Sequence, residues 1–95
     1  MNTATLLADV AALGLTTEIA NGRRCIYGRL GDVLRVYAAQ GLDVRRDPTD
    51  RNEHRTASWI VTRGALVGDD VVALVLHDKV TGYTYGRTCL VGGAL

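Results

Sequence analysis

The sequence predicts an α+β fold in which an N-terminal helix and a short second helix pack on an antiparallel β-sheet. The strongest signal is a long C-terminal hairpin over Asp70–Val91, where two runs of strand-forming residues flank a turn sequence. A second hairpin is marked by Asn21-Gly22, because a type I′ turn needs positive φ at both central positions. Apolar residues at helical spacing over Thr3–Leu13 predict the helix that covers this sheet.

The predicted first helix has one apolar face. Leu6, Val10 and Leu13 recur on that face, and a threonine near the start can cap the helix. Gly14 follows directly and favours the left-handed conformation that ends a helix. We expect the apolar face to pack on the protein's own sheet.

The first hairpin joins Leu15–Ala20 to Arg23–Leu30. The two-residue turn places Glu18 opposite Cys25 and diagonal to Arg23, within reach of an ion pair. Strand residues alternate between faces, so the hairpin has one apolar and one polar side. The side that we expect to be buried comprises Leu15, Thr17, Ile19, Ile26 and Leu30 together with Arg24.

The segment after the first hairpin has two interpretations. A strand over Val33–Ala38, following a turn at Gly31-Asp32, would bring Arg35 onto the buried face. A short helix removes that conflict, with Asp32 as its cap and Gly41 as its end. We therefore favour the helix, with a buried stripe of Val33, Leu34, Tyr37 and Ala38.

Two more strands precede the long hairpin. Leu42–Arg46 predicts a short strand, and Asp47–Arg55 is a polar loop that contains the only proline. Thr56–Arg63 alternates regularly, with Ala57, Trp59 and Val61 on one face. Gly64–Asp69 then turns the chain into the long hairpin.

The register of the long hairpin depends on its loop. If Asp78–Gly82 forms a five-residue loop, His77 pairs with Tyr83. Cross-strand partners share a face, so the hairpin then has two distinct sides. The side that we expect to be buried comprises Val72, Leu74, Leu76, Thr84, Gly86 and Thr88, and Gly86 would allow a helix to approach closely. The other side comprises Val71, Ala73, Val75, His77, Tyr83, Tyr85, Arg87 and Cys89.

The composition argues against several functions but does not identify one. The 95 residues suffice for one α+β domain over residues 1–95 without metal or disulfide crosslinks. The net charge of +1 produces no general attraction to nucleic acid or membrane. The N-terminus lacks the features of a signal peptide, so we expect a cytoplasmic protein with reduced thiols. Cys25 and Cys89 match no metal-binding spacing, and we expect neither a metal nor another cofactor.

The candidate binding residues lie on one side of the long hairpin. They are His77, Tyr83, Tyr85 and Arg87. Tyrosine and arginine are enriched in protein interfaces because they combine large contact area with polar reach. We therefore expect a small non-enzymatic protein-binding module, such as a regulator or inhibitor of a larger complex, which docks a sheet face onto another protein or forms a homodimer.

Two other functions compete with this prediction. Arg23, Arg24, Arg29 and Arg35 form a possible nucleic-acid-binding patch, to which the hairpin tyrosines could add base stacking. Catalysis would need Cys25 or a histidine, but no catalytic motif accompanies them, and we expect no enzyme.

Overall fold

The computed structural model describes residues 3–50, 54–64 and 70–89. Within these ranges, two helices and a six-stranded antiparallel sheet form the α+β fold that the sequence predicts, and a helix comes first in the chain. The elements in chain order are α1 (Thr3–Ala12), β1 (Thr16–Ala20), β2 (Arg23–Tyr27), α2 (Leu30–Ala38), β3 (Asp43–Arg46), β4 (Thr56–Thr62), β5 (Val71–Asp78) and β6 (Thr84–Thr88).

The order of strands in the sheet differs from their order in the chain. It runs β1-β2-β6-β5-β4-β3, with every neighbouring pair antiparallel. The helix α2 carries the chain from β2 to the far edge, and β3 to β6 then return strand by strand. The sixth strand thus lies between β2 and β5 in the middle of the sheet.

Both helices pack against one face of the sheet. The core combines Leu6 and Val10 of α1 and the buried residues of α2 with alternate strand residues such as Ile26, Val61 and Val75. Burial of apolar area between the two layers is the main stabilising contribution. None of the described helices has the length and apolar character needed to cross a membrane.

The helical interpretation of the second element is confirmed, although its details differ from the prediction. The helix α2 begins at Leu30 with Arg29 as N-cap, so Asp32 falls in the first turn, 3.8 Å from Arg35, and does not cap it. Val33, Val36 and Tyr37 are its buried residues. Leu34 is half-buried and Ala38 is exposed, so the predicted stripe was displaced around the helix.

The first hairpin has the predicted turn and register. Asn21 and Gly22 have φ values of 52° and 72°, as a type I′ turn requires, and Glu18 lies opposite Cys25. The predicted burial extends over only part of the hairpin, because Ile26 is buried but Ile19 is 57% exposed. The Glu18 carboxylate accepts a hydrogen bond from Tyr27, and no ion pair joins it to Arg23 among the described residues.

The predicted register of the long hairpin was wrong by one residue. Asp78 belongs to the strand: its N–H donates to the Tyr83 carbonyl (2.8 Å) and its carbonyl accepts from the Gly82 N–H (2.8 Å). The Asp78 carboxylate accepts from the N–H groups of Val80 and Thr81, which closes a four-residue loop. His77 therefore pairs with Thr84 and not with Tyr83.

The shifted register reverses the faces of β5 and leaves those of β6 as predicted. Ala73 and Val75 point into the core, whereas Leu74 and Leu76 lie on the other face. A β-bulge opposite Val61/Thr62 adds one residue to β5, which explains why the neighbours Val72 and Ala73 are both buried.

Gly86 permits the close approach of α2 to the sheet. A Cβ atom at this position would lie 2.8 Å from Cε2 of Tyr37 and 3.1 Å from Cγ1 of Val33. The Tyr37 hydroxyl then lies 3.0 Å from Oγ1 of Thr88, the next β6 residue on this face. The predicted contact between a helix and Gly86 is confirmed.

The strand β4 follows the predicted alternation. Ala57 and Val61 are buried, and Trp59 is half-buried with the Arg46 guanidinium 5.0 Å from the centre of its ring. Parts of three predicted segments lie outside the described residues, namely 51–53 of the polar loop, 65–69 of the turn and 90–91 at the end of the hairpin. The C-terminal residues 92–95 also lie outside them.

Candidate functional site

One face of the sheet is not covered by any described helix, and we call it the open face. Strand pairing arranges its side chains in rows across the sheet. One row comprises Glu18, Cys25, Arg87, Leu74 and Ile60, and the next comprises Thr16, Tyr27, Tyr85, Leu76 and Ser58.

Three aromatic side chains meet on the open face. Tyr27 of β2 lies directly opposite Tyr85 of β6, and Tyr83 precedes β6 on the same side. The ring centroids are 5.8 Å apart for Tyr27–Tyr83, 5.9 Å for Tyr27–Tyr85 and 6.1 Å for Tyr83–Tyr85, with tilted planes. These distances fall in the range of favourable aromatic pairs. We call these three residues the tyrosine cluster.

A hollow of about 450 Å³ lies beside the tyrosine cluster. Arg23 and Arg87 contribute its charged groups, and Cys25 lies between them on the floor with 4% of its surface exposed. Because the cysteine side chain is small, a space remains above it, and the larger neighbouring side chains enclose this space. We call this the arginine hollow; its lining residues are Ala20, Asn21, Arg23, Cys25, Tyr27, Tyr83, Tyr85 and Arg87.

The arginine hollow has a positive local charge. Two arginines and no acidic residue line it among the residues that the structure describes, and neither guanidinium forms an ion pair with any of them. The nearest acid in the same row is Glu18, whose carboxylate accepts a hydrogen bond from the Tyr27 hydroxyl at 2.5 Å. This hydrogen bond raises the pKa of Tyr27, and partial burial adds to the shift. Tyr27 therefore remains a neutral donor at physiological pH.

A second hollow lies on the other side of Tyr83 and Tyr85. Its volume is about 300 Å³, and Leu76 and Thr56 line it together with the edges of His77 and Asp78. The Asp78 carboxylate is held by the N–H groups of Thr81 and Val80, which lower its pKa, and it lies 3.5 Å from Arg55. We call this the leucine hollow.

The structure brings together three of the four predicted partner-binding residues. Tyr83, Tyr85 and Arg87 lie side by side on the open face. His77 lies on the helix-covered face of β5, where its Nδ1 is 2.6 Å from Oγ1 of Thr84, and it reaches only the edge of the leucine hollow. This displacement of His77 follows from the one-residue error in the hairpin register.

Tyr27 and Arg23 complete the site. Tyr27 was not among the predicted site residues, and Arg23 was predicted only as part of the nucleic-acid patch. Both lie on the polar side of the first hairpin. Tyr27 is 58 residues before Tyr85, its partner in β6, and Arg23 is 64 residues before Arg87. Only the pairing of β2 with β6 brings the two sets together. Arg23 and Tyr27 are each two residues from Cys25, and this spacing indicated that the three share one side of the strand. It did not indicate which strand lies beside them.

The four arginines of the predicted nucleic-acid patch do not form one surface. Arg23 lies on the open face, whereas Arg24 pairs with Ile19 on the opposite side of the first hairpin. Arg29 is the N-cap of α2, and Arg35 is on the exposed side of α2, beside Asp32. Their positive charges are therefore distributed around the molecule.

The described residues contain no group of three His, Cys, Asp or Glu side chains that could hold a metal ion. Cys25 is on the open face and His77 is on the other face, so they do not form a Cys–His pair. The side chains of the open face offer aromatic contact, hydrogen bonding and attraction of an anion.

Comparison of the chain with known protein families, curated proteins and solved structures found no match. The function is therefore inferred from the residues of the open face.

Proposed function

We propose that this protein is a non-enzymatic binding module that docks its open face onto another protein. The observation that supports the proposal is the tyrosine cluster, flanked by Arg23 and Arg87 on a sheet face that the described helices leave uncovered. Tyrosine and arginine contribute most strongly to binding when they are grouped in the centre of an interface.

The chemistry of the open face favours a partner with an acidic patch. The arginine hollow carries two guanidinium groups that form no ion pair with a described residue, and a partner carboxylate would neutralise them. Apolar residues continue from the tyrosine cluster to Leu76 and Leu74, so the partner would also contribute apolar side chains. Regulation or inhibition of a larger complex remains the corresponding biological proposal.

The test compares variants in their capture of partners from a nuclease-treated lysate of the source cells. Tyr83→Ala and Tyr85→Ala alter the tyrosine cluster, and Ile19→Ala is the control, because Ile19 (57%) and Tyr83 (54%) are equally exposed. We expect a protein that wild type and Ile19→Ala retain and that both tyrosine variants retain at least tenfold less, a difference of about 1.4 kcal/mol in binding.

The captured protein is then purified, and its affinity is measured directly by calorimetry with the same four chains. Equal affinity for wild type and both tyrosine variants would rule out docking through the tyrosine cluster. Light scattering on each purified chain covers self-association: a dimer that Tyr85→Ala dissociates would identify a second copy of this chain as the partner.

Single-stranded nucleic acid is a second candidate for the same surface. Three tyrosine rings on neighbouring antiparallel strands resemble the platforms on which unpaired bases stack. The electrostatic support is weak, because two arginines that neutralise two phosphates produce only about a sevenfold loss of affinity between 50 and 200 mM salt. Fluorescence anisotropy with labelled U15 and dT15 oligonucleotides measures this binding and its dependence on Tyr85.

A further inference from the structure

We infer that the open face binds an extended segment of the partner, which places a carboxylate between Arg23 and Arg87 and an aliphatic side chain, four residues away, in the leucine hollow. This inference depends on the proposed function and specifies the partner's chemistry. It requires two subsites of different character on the two sides of Tyr83 and Tyr85.

The first subsite suits a carboxylate. Arg23 and Arg87 both line the arginine hollow without an ion pair to the described residues, so two like charges are held near each other. An anion between them removes this repulsion, and each guanidinium presents a planar pair of donors that fits a carboxylate. Glu18 does not supply that anion, because its carboxylate is turned to Tyr27.

The positive charge does not continue along the open face. Beyond the tyrosine cluster, the leucine hollow contains Asp78. At the far edge, Asp43 lies 2.8 Å from Arg45 and balances it. Among the residues that the structure describes, a nucleic-acid strand crossing this face would meet unpaired positive charge at one end only, whereas a peptide needs a single acidic residue there. The charge distribution therefore favours a peptide over a polyanion.

The second subsite suits an aliphatic side chain. Leu76 is 38% exposed and forms one wall of the leucine hollow, and Tyr83 and Tyr85 form the wall that it shares with the arginine hollow. An aliphatic group placed there would cover the exposed part of Leu76, and this apolar contact needs no charged group. The volume of about 300 Å³ accommodates one branched side chain.

The spacing of the two subsites follows from strand geometry. Arg87 and Leu76 lie on adjacent strands and in adjacent rows, and the hollows extend away from each other on either side of Tyr85. Arg23 lies one strand and one row further from Leu76 than Arg87 does. With about 4.8 Å between strands and about 3.3 Å per residue along them, the midpoint between the two arginines is about 12 Å from Leu76. An extended peptide covers this distance in about four residues, and side chains at i and i+4 point to the same side.

The test is a selection from a displayed library of random linear 12-residue peptides. The library is selected on wild type after depletion on Tyr85→Ala. We expect the recovered peptides to be enriched in Asp or Glu, with Leu, Ile or Val four residues away. Parallel selections on Arg87→Gln and Leu76→Ser should lose the acidic and the aliphatic preference, respectively, and each should retain the other.

One recovered peptide then provides a direct check of the carboxylate. Replacing its acidic residue by the amide should weaken binding to wild type at least tenfold and should change binding to Arg23→Gln/Arg87→Gln less than twofold. Circular dichroism of each variant verifies that the fold is unchanged.

Three outcomes would overturn the inference. The first is that the recovered peptides bind the tyrosine cluster without any acidic preference, or that their acidic preference survives in Arg23→Gln/Arg87→Gln. Either result would exclude the carboxylate subsite and leave the docking proposal intact. Failure to recover any peptide dependent on Tyr85 would exclude an extended segment, and the lysate comparison would then decide the docking proposal separately. If U15 displaces the bound peptide, and Tyr85→Ala loses U15 binding as strongly as it loses peptide binding, the ligand is nucleic acid.

Discussion

The two faces of β6 show how one short strand serves two purposes. Thr84, Gly86 and Thr88 point toward α2 and are buried. Tyr85 and Arg87 alternate with them and lie on the open face. The buried side has small side chains that let a helix approach, and the open side has large ones that extend into solvent.

The difference shows that size and polarity alone do not locate the core of this protein. Two threonines and a glycine are buried here, while Tyr83 and Leu76 are exposed. The buried hydroxyl of Thr88 has a partner in Tyr37, which offsets the cost of removing it from water. Tyr83 on the open face is 54% exposed, and the docking proposal would account for its position.

The largest expected difference is between Tyr37 on the covered side and Tyr83 on the open side. Tyr37→Ala removes a fully buried ring and should lower the free energy of unfolding by about 3–5 kcal/mol. Tyr83→Ala removes a ring that is 54% exposed and should cost about 1 kcal/mol or less. Urea denaturation of both variants measures the difference. Similar losses would show that the tyrosine cluster is a structural element.

Alkaline pH should act on the covered side through Tyr37. Burial raises the pKa of Tyr37 to about 12, whereas an unfolded tyrosine ionises near 10. The folded state therefore keeps a proton that the unfolded state releases, so stability falls as the pH rises above about 10 and levels off above about 12. By linkage, this contribution is about 2–3 kcal/mol.

The matched variant for this prediction is Tyr37→Phe, measured by urea denaturation at pH 8.5 and 11.5. It lacks the ionisable hydroxyl and should lose less stability than wild type between these pH values. At the lower pH it should be less stable by about 1 kcal/mol, because Thr88 loses its partner. The same pH dependence in both chains would contradict the assignment to Tyr37.

Gly86 tests the close packing of β6 against α2. Gly86→Ala places a Cβ 2.8 Å from the ring of Tyr37 and should cost about 1–3 kcal/mol. Gly31→Ala in α2 is the control, because a Cβ there meets no atom within 4 Å and should stabilise the helix by about 0.5–1 kcal/mol. Thermal denaturation should shift in opposite directions for the two variants; a shared direction would contradict the packing argument.

The smallest expected effect on stability belongs to the arginine hollow. Arg23→Gln/Arg87→Gln should change the free energy of unfolding by less than about 0.5 kcal/mol, because neither side chain forms an ion pair with the described residues. A clear loss of stability in denaturation experiments would mean that these arginines hold the fold together. If Arg23→Gln/Arg87→Gln keeps its stability but binds the partner less well, the open face contributes to binding and not to stability.

The sequence predicted the elements of the fold more reliably than their arrangement. Asn21-Gly22 determined both the turn and the register of the first hairpin, because the backbone requirement is local. In the long hairpin, Asp78 can serve either as a loop residue or as the last strand residue. Its carboxylate accepts loop N–H groups in both cases, so the pattern did not distinguish a four-residue from a five-residue loop.

The candidate site was predicted in part for a similar reason. Tyr83, Tyr85 and Arg87 are neighbours in sequence, and their alternation placed them together. Tyr27 joined them only through the β2–β6 pairing, which no local pattern encodes. His77 was wrongly placed with them because a shift of one residue exchanges the faces of a strand.

The central position of β6 also has a consequence for how the chain folds. During synthesis the β1–β2 hairpin and the β3–β4–β5 ladder emerge before β6, and each keeps an unpaired edge until Thr84–Thr88 arrives. Contacts between such distant segments close slowly, because the chain entropy is lost before the contacts form. Exposed strand edges are sites of aggregation in partly folded chains. Pairing of β6 with β2 and β5 therefore covers both of these strand edges and brings Tyr83 and Tyr85 beside Tyr27.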